Sequence, residues 1–322
     1  MSRQRGVALI TVLLVVALVT VVCAGLILRQ QLAIRSTGNQ LAVRQAQYYA
    51  EGGERLAQAL LRRDLQTGDV QVDHPAEAWA KPLLSFPLDE GGELHLRIED
   101  LAGRFNLNSL AAGGEAGELA LLRFRRLLQQ LQLNPAYAER LPDWLDTDQE
   151  AAGSGGAEDD QYLLLKPPYR TGPGRIIEVS ELRLLLGMSE ADYRHLLPFV
   201  SALPVAVELN INTASLPVLA CLGEGIPTST LKALIEGRGR TGYRDNSAFL
   251  QALTAYDVNP QGLTVGSRYF RATTEVTLGE RRQVLVSYLQ RGNDGRVRVT
   301  ARDFGQDGLV PLPSEASKES EE

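Results

Sequence analysis

The longest pattern in the chain is an uninterrupted one: from Val7 to Leu28 no charged residue breaks a run dominated by Val, Leu, Ile and Ala. As α-helix these roughly twenty-two residues span about 33 Å, enough to cross a hydrocarbon core of about 30 Å. Beyond it the pattern turns amphipathic. From Leu26 to Leu65 there is no Pro, and Leu41, Tyr48, Gly52, Leu56, Ala59 and Leu60 recur at helical spacing. One helix from about Ile10 to Arg63 is predicted, leaving a membrane and laying its apolar stripe on a globular head.

The period then changes from helical to two. Leu94, Leu96 and Ile98 alternate with His95, Arg97 and Glu99, which predicts a half-buried strand. Three further strand-like runs cover Tyr269 to Leu278, Gln283 to Gln290 and Arg296 to Arg302. Gly279-Glu280-Arg281 and Gly292-Asn293-Asp294-Gly295 between them read as hairpin turns. A helical stretch from about Leu119 to Leu253 separates the two β regions. Leu121, Leu122, Leu127, Leu128 and Leu131 mark one of its helices, and Leu182, Leu185, Tyr193, Leu196 and Leu197 mark others.

The apolar run is preceded by Arg3-Gln4-Arg5-Gly6. A short basic leader ending in Gly directly against a membrane-length helix is the pattern of a type IV prepilin, in which the cut falls before the apolar stretch. The predicted cut is between Gly6 and Val7, with methylation of the new Val7 amine. A secretory signal peptide cut after Ala24 is the competing reading. A lipoprotein reading through Cys23 is weaker, because Val22 stands where a small residue is needed. Arg29 and Arg35 follow the run and blunt the positive-inside signal, but a short leader is easier to retain in the cytoplasm than a large head.

Gly6-Val7-Ala8-Leu9-Ile10, the segment from Glu99 to Asn108 and the Asp-rich stretch from Asp143 together resemble the general secretion pathway protein K family, the K minor pseudopilins of type II secretion systems. The likeness runs over nearly the whole chain. It implies an α+β fold: a pilin-like long N-terminal helix packed on an antiparallel sheet, with a large all-α insertion containing helix-hairpin-helix or SAM-like segments. The expected division is a leader over 1–6, the transmembrane half of the helix over 7–28, and the first part of the scaffold over 29–108. The inserted α-helical domain follows over 109–264, the C-terminal scaffold strands over 265–304, and a disordered acidic tail over 305–322.

The family likeness also implies a non-enzymatic subunit that caps the tip of a periplasmic pseudopilus and helps initiate its assembly, for export of folded proteins across the outer membrane. The implied partners are minor pseudopilins I and J, minor pseudopilin H and the major pseudopilin, with the prepilin peptidase as processor. The implied location is the bacterial inner membrane, single-pass, with the bulk of the chain periplasmic. Most prepilins carry Glu at the fifth mature position, and here that position is Thr11. A carboxylate there would pair with a neighbour's free amine, since an unpaired charge among apolar helices is costly. Its absence fits a subunit with no predecessor in the filament.

Asp143, Asp146, Asp148 and Glu150 are followed, after a Gly-rich link, by Glu158, Asp159 and Asp160. Carboxylates this dense stay exposed or recruit a cation, and hard oxygen donors without His or Cys point to Ca²⁺. The spacing is not that of an EF-hand, and from spacing alone a solvated acidic loop stands equally. The family likeness implies structural calcium here, on Asp143, Asp146, Asp148, Glu158 and Asp159.

Asn210 to Leu219, Gly223-Glu224-Gly225 and Leu231 to Arg238 resemble a helix-hairpin-helix module, so a membrane-anchored DNA receptor of the competence type is the alternative function. Charge opposes it, and no nucleic acid is expected as a partner. Lys232, Arg238, Arg240 and Arg244 are countered by Glu208, Glu224, Glu236, Asp245 and Asp257, and the net charge is −6. The 3 His are scattered, and no nucleophile elbow, phosphate loop or dinucleotide fingerprint is present. A hydrolase built on the Asp143 cluster would lack a base and a pocket. The 2 Cys, Cys23 and Cys221, are too far apart along the chain to predict a disulfide framework.

Overall fold

A computed structural model describes residues 5–67, 72–81, 84–89, 91–172, 174–292 and 294–305. Most of the leader, and the acidic tail from residue 306 onward, lie outside these described residues.

Helix α1 (Arg5–Thr67) runs 63 residues without a break, about 95 Å of helix. From Leu9 to Leu41 every residue is exposed, and the apolar part of this stretch is long enough to cross a membrane. Burial begins at Ala46 and continues through Ala50, Gly53, Glu54, Ala57 and Leu61. This stripe differs from the one expected. Leu41 and Tyr48 are 63% and 71% exposed, and Gly52 and Ala59 also face outward. The reason is close approach. A Cβ on Gly53 would stand 2.3 Å from Thr274 Cγ2, so small residues, not large ones, let α1 lie against the sheet.

The sheet is β1 (Leu84–Pro87), β2 (Glu93–Asp100), β7 (Tyr269–Leu278), β8 (Arg281–Arg291) and β9 (Val297–Asp303), in the spatial order β1-β2-β7-β8-β9 and antiparallel throughout. All four predicted strands are present; β1 was missed, being short and mostly exposed. Leu94, Leu96, Ile98, Phe270, Ala272, Val276, Leu285 and Leu289 point to the α1 side and form a core with Trp79. The opposite face carries Arg97, Glu99 and Arg271. Glu99 accepts from Arg271 Nε at 3.0 Å and from Arg104 at 3.0 Å. The two cations hold its carboxyl down at about 2 despite burial.

Between the partnered strands β2 and β7 the chain leaves the sheet and builds a second core. It comprises β3 (Phe105–Asn106), α2 (Gly114–Gln130), α3 (Tyr137–Leu145), α4 (Asp159–Tyr162), α5 (Glu190–Leu196), β4 (Val200–Ser201), β5 (Leu209–Asn210), α6 (Leu216–Ala220), α7 (Thr228–Gly237), α8 (Ser247–Ala252) and β6 (Leu263–Thr264). Short parallel ladders, β3 with β4 and β5 with β6, close two successive loops of chain. Phe124, Leu127, Leu128, Leu141, Tyr162, Leu196, Leu219 and Phe249 are fully enclosed in this core.

Buried polar groups fasten the insertion to the sheet. Asp100, at the end of β2, accepts from Asn210 Nδ2 at 2.9 Å, Thr213 Oγ1 at 2.6 Å and the Ala102 amide at 2.8 Å. Asn210 also donates to the Asp73 carbonyl at 3.1 Å. The Asp73 carboxylate takes the Ser267 amide at 2.7 Å and pairs with Arg291 of β8.

Candidate metal centre

The acidic segment starts in the last turn of α3. Trp144 and Leu145 turn inward, and Trp144 meets Tyr162 of α4 edge-on at 5.3 Å. That aromatic contact brings the two ends of the loop together. Asp143 is buried, and its carboxylate accepts the Ala152 amide at 3.0 Å and the Ala157 amide at 2.7 Å. Glu139 accepts the Gly155 amide at 2.6 Å, and Arg140 Nε donates to the Gly155 carbonyl at 3.1 Å. Three side chains of α3 therefore hold the Gly-rich link by its backbone.

Within this frame Asp146, Asp148 and Glu158 each offer one oxygen, and these oxygens lie within 4.8 Å of one another. Asp146 and Asp148 are exposed, while Glu158 is 4% exposed. Glu158 Oε1 is enclosed and meets no hydrogen-bond donor. An orphaned buried oxygen on a carboxylate grouped with two others is what a cation would satisfy. Burial, with the charges of Asp143, Asp146, Asp148 and Asp159, pushes Glu158 up to about 7. Burial and the neighbouring Asp148 also raise Asp146. The donor set is all oxygen and suits a hard cation.

The five residues expected here divide. Asp146, Asp148 and Glu158 meet, and Asp143 supports the loop beside them. Asp159 faces elsewhere: its Oδ1 accepts the Thr171 amide at 2.9 Å and hydroxyl at 3.0 Å, and its Oδ2 takes Arg170 at 2.9 Å. The Thr171 amide, first among these, holds its carboxyl below the usual range. At the other expected site, Gly6 and Val7 lie in the first turn of α1, and Thr11 is exposed on the same helix.

A second carboxylate group escaped the sequence reading. Asp64, Asp73 and Glu77 converge at the seam between α1 and the sheet, and Arg291 pairs with Asp64 at 2.9 Å and with Asp73. No local spacing marks it, because Arg291 lies 218 residues from Asp73. In the hairpin module, Arg238 is buried and its Nη2 donates to the Ala214 carbonyl at 2.5 Å. One of the four cations weighed for phosphate contact is thus spent inside the fold.

A helix bare over its first half and packed on an antiparallel sheet over its second defines a pilin-like subunit with a membrane-length anchor. The insertion identifies the kind. Residues 103–205 and 209–266 match two family models, each described as type II secretion system protein K. Type II secretion system protein K of Pseudomonas aeruginosa is 56% identical over 321 residues, covering 97% of this chain and 96% of that protein. The Klebsiella pneumoniae protein is 37% identical over 94% of this chain, and that of Pectobacterium carotovorum 35% over 94%. Among solved structures, the GspK-GspI-GspJ complex from the enterotoxigenic Escherichia coli type 2 secretion system aligns with a TM-score of 0.74 and 27% identity, over 84% of this chain and 99% of that chain. The chain belongs to the type II secretion system protein K family and is a minor pseudopilin, a structural component of the secretion machinery.

Proposed function

We propose that this subunit caps the tip of a periplasmic pseudopilus and helps initiate its assembly, for export of folded proteins across the outer membrane. The observation that carries this reading is the insertion between β2 and β7, which adds a second core to a pilin-like scaffold. A head of that bulk suits the end of a filament better than its closely stacked body. Thr11 supports the same position, because it leaves no carboxylate to reach the amine of a preceding subunit. The likeness to a chain solved with GspI and GspJ makes minor pseudopilins I and J the first partners, with minor pseudopilin H and the major pseudopilin below. The apolar half of α1 would hold the chain in the inner membrane, head in the periplasm, until similar helices gather around it.

Prepilin peptidase would cut between Gly6 and Val7, and the Val7 amine would then be methylated. Calcium would be held by Asp146, Asp148 and Glu158, with Asp143 keeping the loop in place. The ion would supply positive charge that lets three carboxylates converge, fixing a loop poor in apolar contacts. Its role is structural.

The intact mass of protein from membranes, with and without active prepilin peptidase, tests processing. Loss of Met1 to Gly6 plus one methyl group is expected; an uncut chain, or a cut after Ala24, removes it from the pilin pathway. Capture of full-length I and J by the processed protein tests the tip, and failure to capture either rejects that position.

A further inference from the structure

Among the described residues Arg123 is a buried cation without an anion. It projects from α2 into the helical core and is 8% exposed. Nη2 donates to the Asn259 carbonyl at 2.8 Å, and Nε is enclosed without an acceptor. The charged or titratable neighbours that act on it are Cys221 and Arg126, neither of them a carboxylate. By contrast the half-buried Arg104 and the buried Arg271 share Glu99, and Arg291 sits between Asp64 and Asp73. Enclosing a guanidinium without a counter-charge is unfavourable, because the lost hydration is not replaced by an opposite charge.

Arg123 lines a cavity of about 390 Å³, within the size range of small-ligand sites. The cavity lies where the two closed loops of the insertion meet, between α2, the end of α6 and the connector 203–209. Its walls are mostly apolar, formed by Phe105, Leu119, Val207, Leu209 and Leu222. Glu208 is also at the lining, but it is exposed and makes no ion pair with Arg123 among the described residues. One uncompensated cation in an apolar cleft selects a ligand with one negative charge and an apolar body.

We propose that this cavity binds a monocarboxylate with a short apolar body, its carboxylate accepting from the Arg123 guanidinium and its body lying on Leu119, Val207 and Leu222. A charge-assisted bond of this kind is strongest where water is excluded. The chemistry has two sources: a free small organic acid, or the C-terminal carboxylate of a polypeptide with apolar last residues.

The test uses the full chain in non-ionic detergent and saturation-transfer NMR titrations. Pentanoate should bind saturably, and the neutral isostere pentanamide at least about tenfold more weakly. Arg123→Met should lose pentanoate binding by a similar factor while melting no lower than the wild type, since it removes an uncompensated buried charge. Ala116→Phe, which fills the cavity from its partly exposed wall and keeps Arg123, should lose binding too and decides the matter if Arg123→Met fails to fold. The peptide Ala-Leu-Val as free acid, compared with its C-terminal amide, separates the sources. A free acid binding about tenfold tighter than pentanoate assigns the site to a chain terminus; equal or weaker binding assigns it to a small acid. Absence of saturable binding by both acids, equal binding of the neutral analogues, or undiminished binding in Arg123→Met would overturn the proposal.

Discussion

Asn210 of the insertion donates its side-chain amide to Asp100 of β2 across 2.9 Å, and both residues are buried. The same amide reaches the Asp73 carbonyl at 3.1 Å, and Asn210 Oδ1 accepts the Asn212 amide at 2.9 Å. One side chain thus ties three stretches of chain together. Asn210→Leu leaves the Asp73 carbonyl and the Asn212 amide without this partner and removes one of the three donors to the Asp100 carboxylate, and should cost about 2–4 kcal/mol. Thermal unfolding measures the loss, and limited proteolysis should show cleavage between the insertion and the sheet before the sheet itself is cut.

The acidic loop gives a graded prediction. Asp146→Asn and Glu158→Gln should each weaken calcium binding at least about tenfold, as removal of a charged ligand from a small oxygen cage does. Asp159→Asn should weaken it far less, because its oxygens are committed to Thr171 and Arg170. Asp143→Ala should lower the melting temperature with or without calcium, since it frees the Ala152 and Ala157 amides. Calorimetric titration of metal-stripped protein, with melting curves in chelator, separates these outcomes.

Glu77 governs part of the pH response. Its Oε2 accepts Trp79 Nε1 at 2.6 Å and the His74 amide at 3.1 Å. Burial first, then the charges of Asp64 and Asp73, push its carboxyl up to about 7 from the ordinary 4.5. A carboxyl that holds its proton more tightly when folded adds stability below about pH 4.5 and loses it as pH rises to about 7. Glu77→Gln mimics the protonated form. It should exceed the wild type by about 1–2 kcal/mol at pH 8, with the difference vanishing toward pH 4.5. A gap that does not change with pH would assign the gain to packing.

Gly53 is where α1 touches β7. Gly53→Ala puts a methyl group within 2.3 Å of Thr274 Cγ2 and should cost about 1–3 kcal/mol. Adding Thr274→Ala should recover part of that loss, and a double-mutant cycle on melting curves reads the coupling.

From Leu9 to Arg35 helix α1 buries no residue against the head. Residues from Leu9 to Leu41 are exposed, and burial on the helix starts only in its second half. A chain beginning at Arg29 should be soluble without detergent and melt within about 2 °C of the full protein, a difference below roughly 1 kcal/mol. A larger fall would mean that the anchor supports the head.

Neighbouring residues encode the features that are legible along the chain. The unbroken apolar run specified a membrane-length helix, and alternation at Leu94, Leu96 and Ile98 specified β2. Alternation and Gly turns located β7, β8 and β9 to within about two residues, the usual scatter of element ends. The density of acidic residues after Asp143 located the candidate metal loop. Tertiary structure decided everything that depends on closeness across the fold. The face of α1 that packs is set by how near Thr274 comes, so Gly53 and alanines are buried while Leu41 and Tyr48 are not. Asp143 and Asp146 look alike in the chain, yet one caps a loop and the other faces Glu158, because the Trp144–Tyr162 contact fixes which oxygens converge. Arg123 and Arg271 are both buried cations, and only the fold gives Glu99 to one and an apolar cavity to the other. Periodicity is local and survives in the sequence. Ion partners and cavities arise from distances between segments that can lie more than two hundred residues apart, as Asp73 and Arg291 do, which no local pattern records.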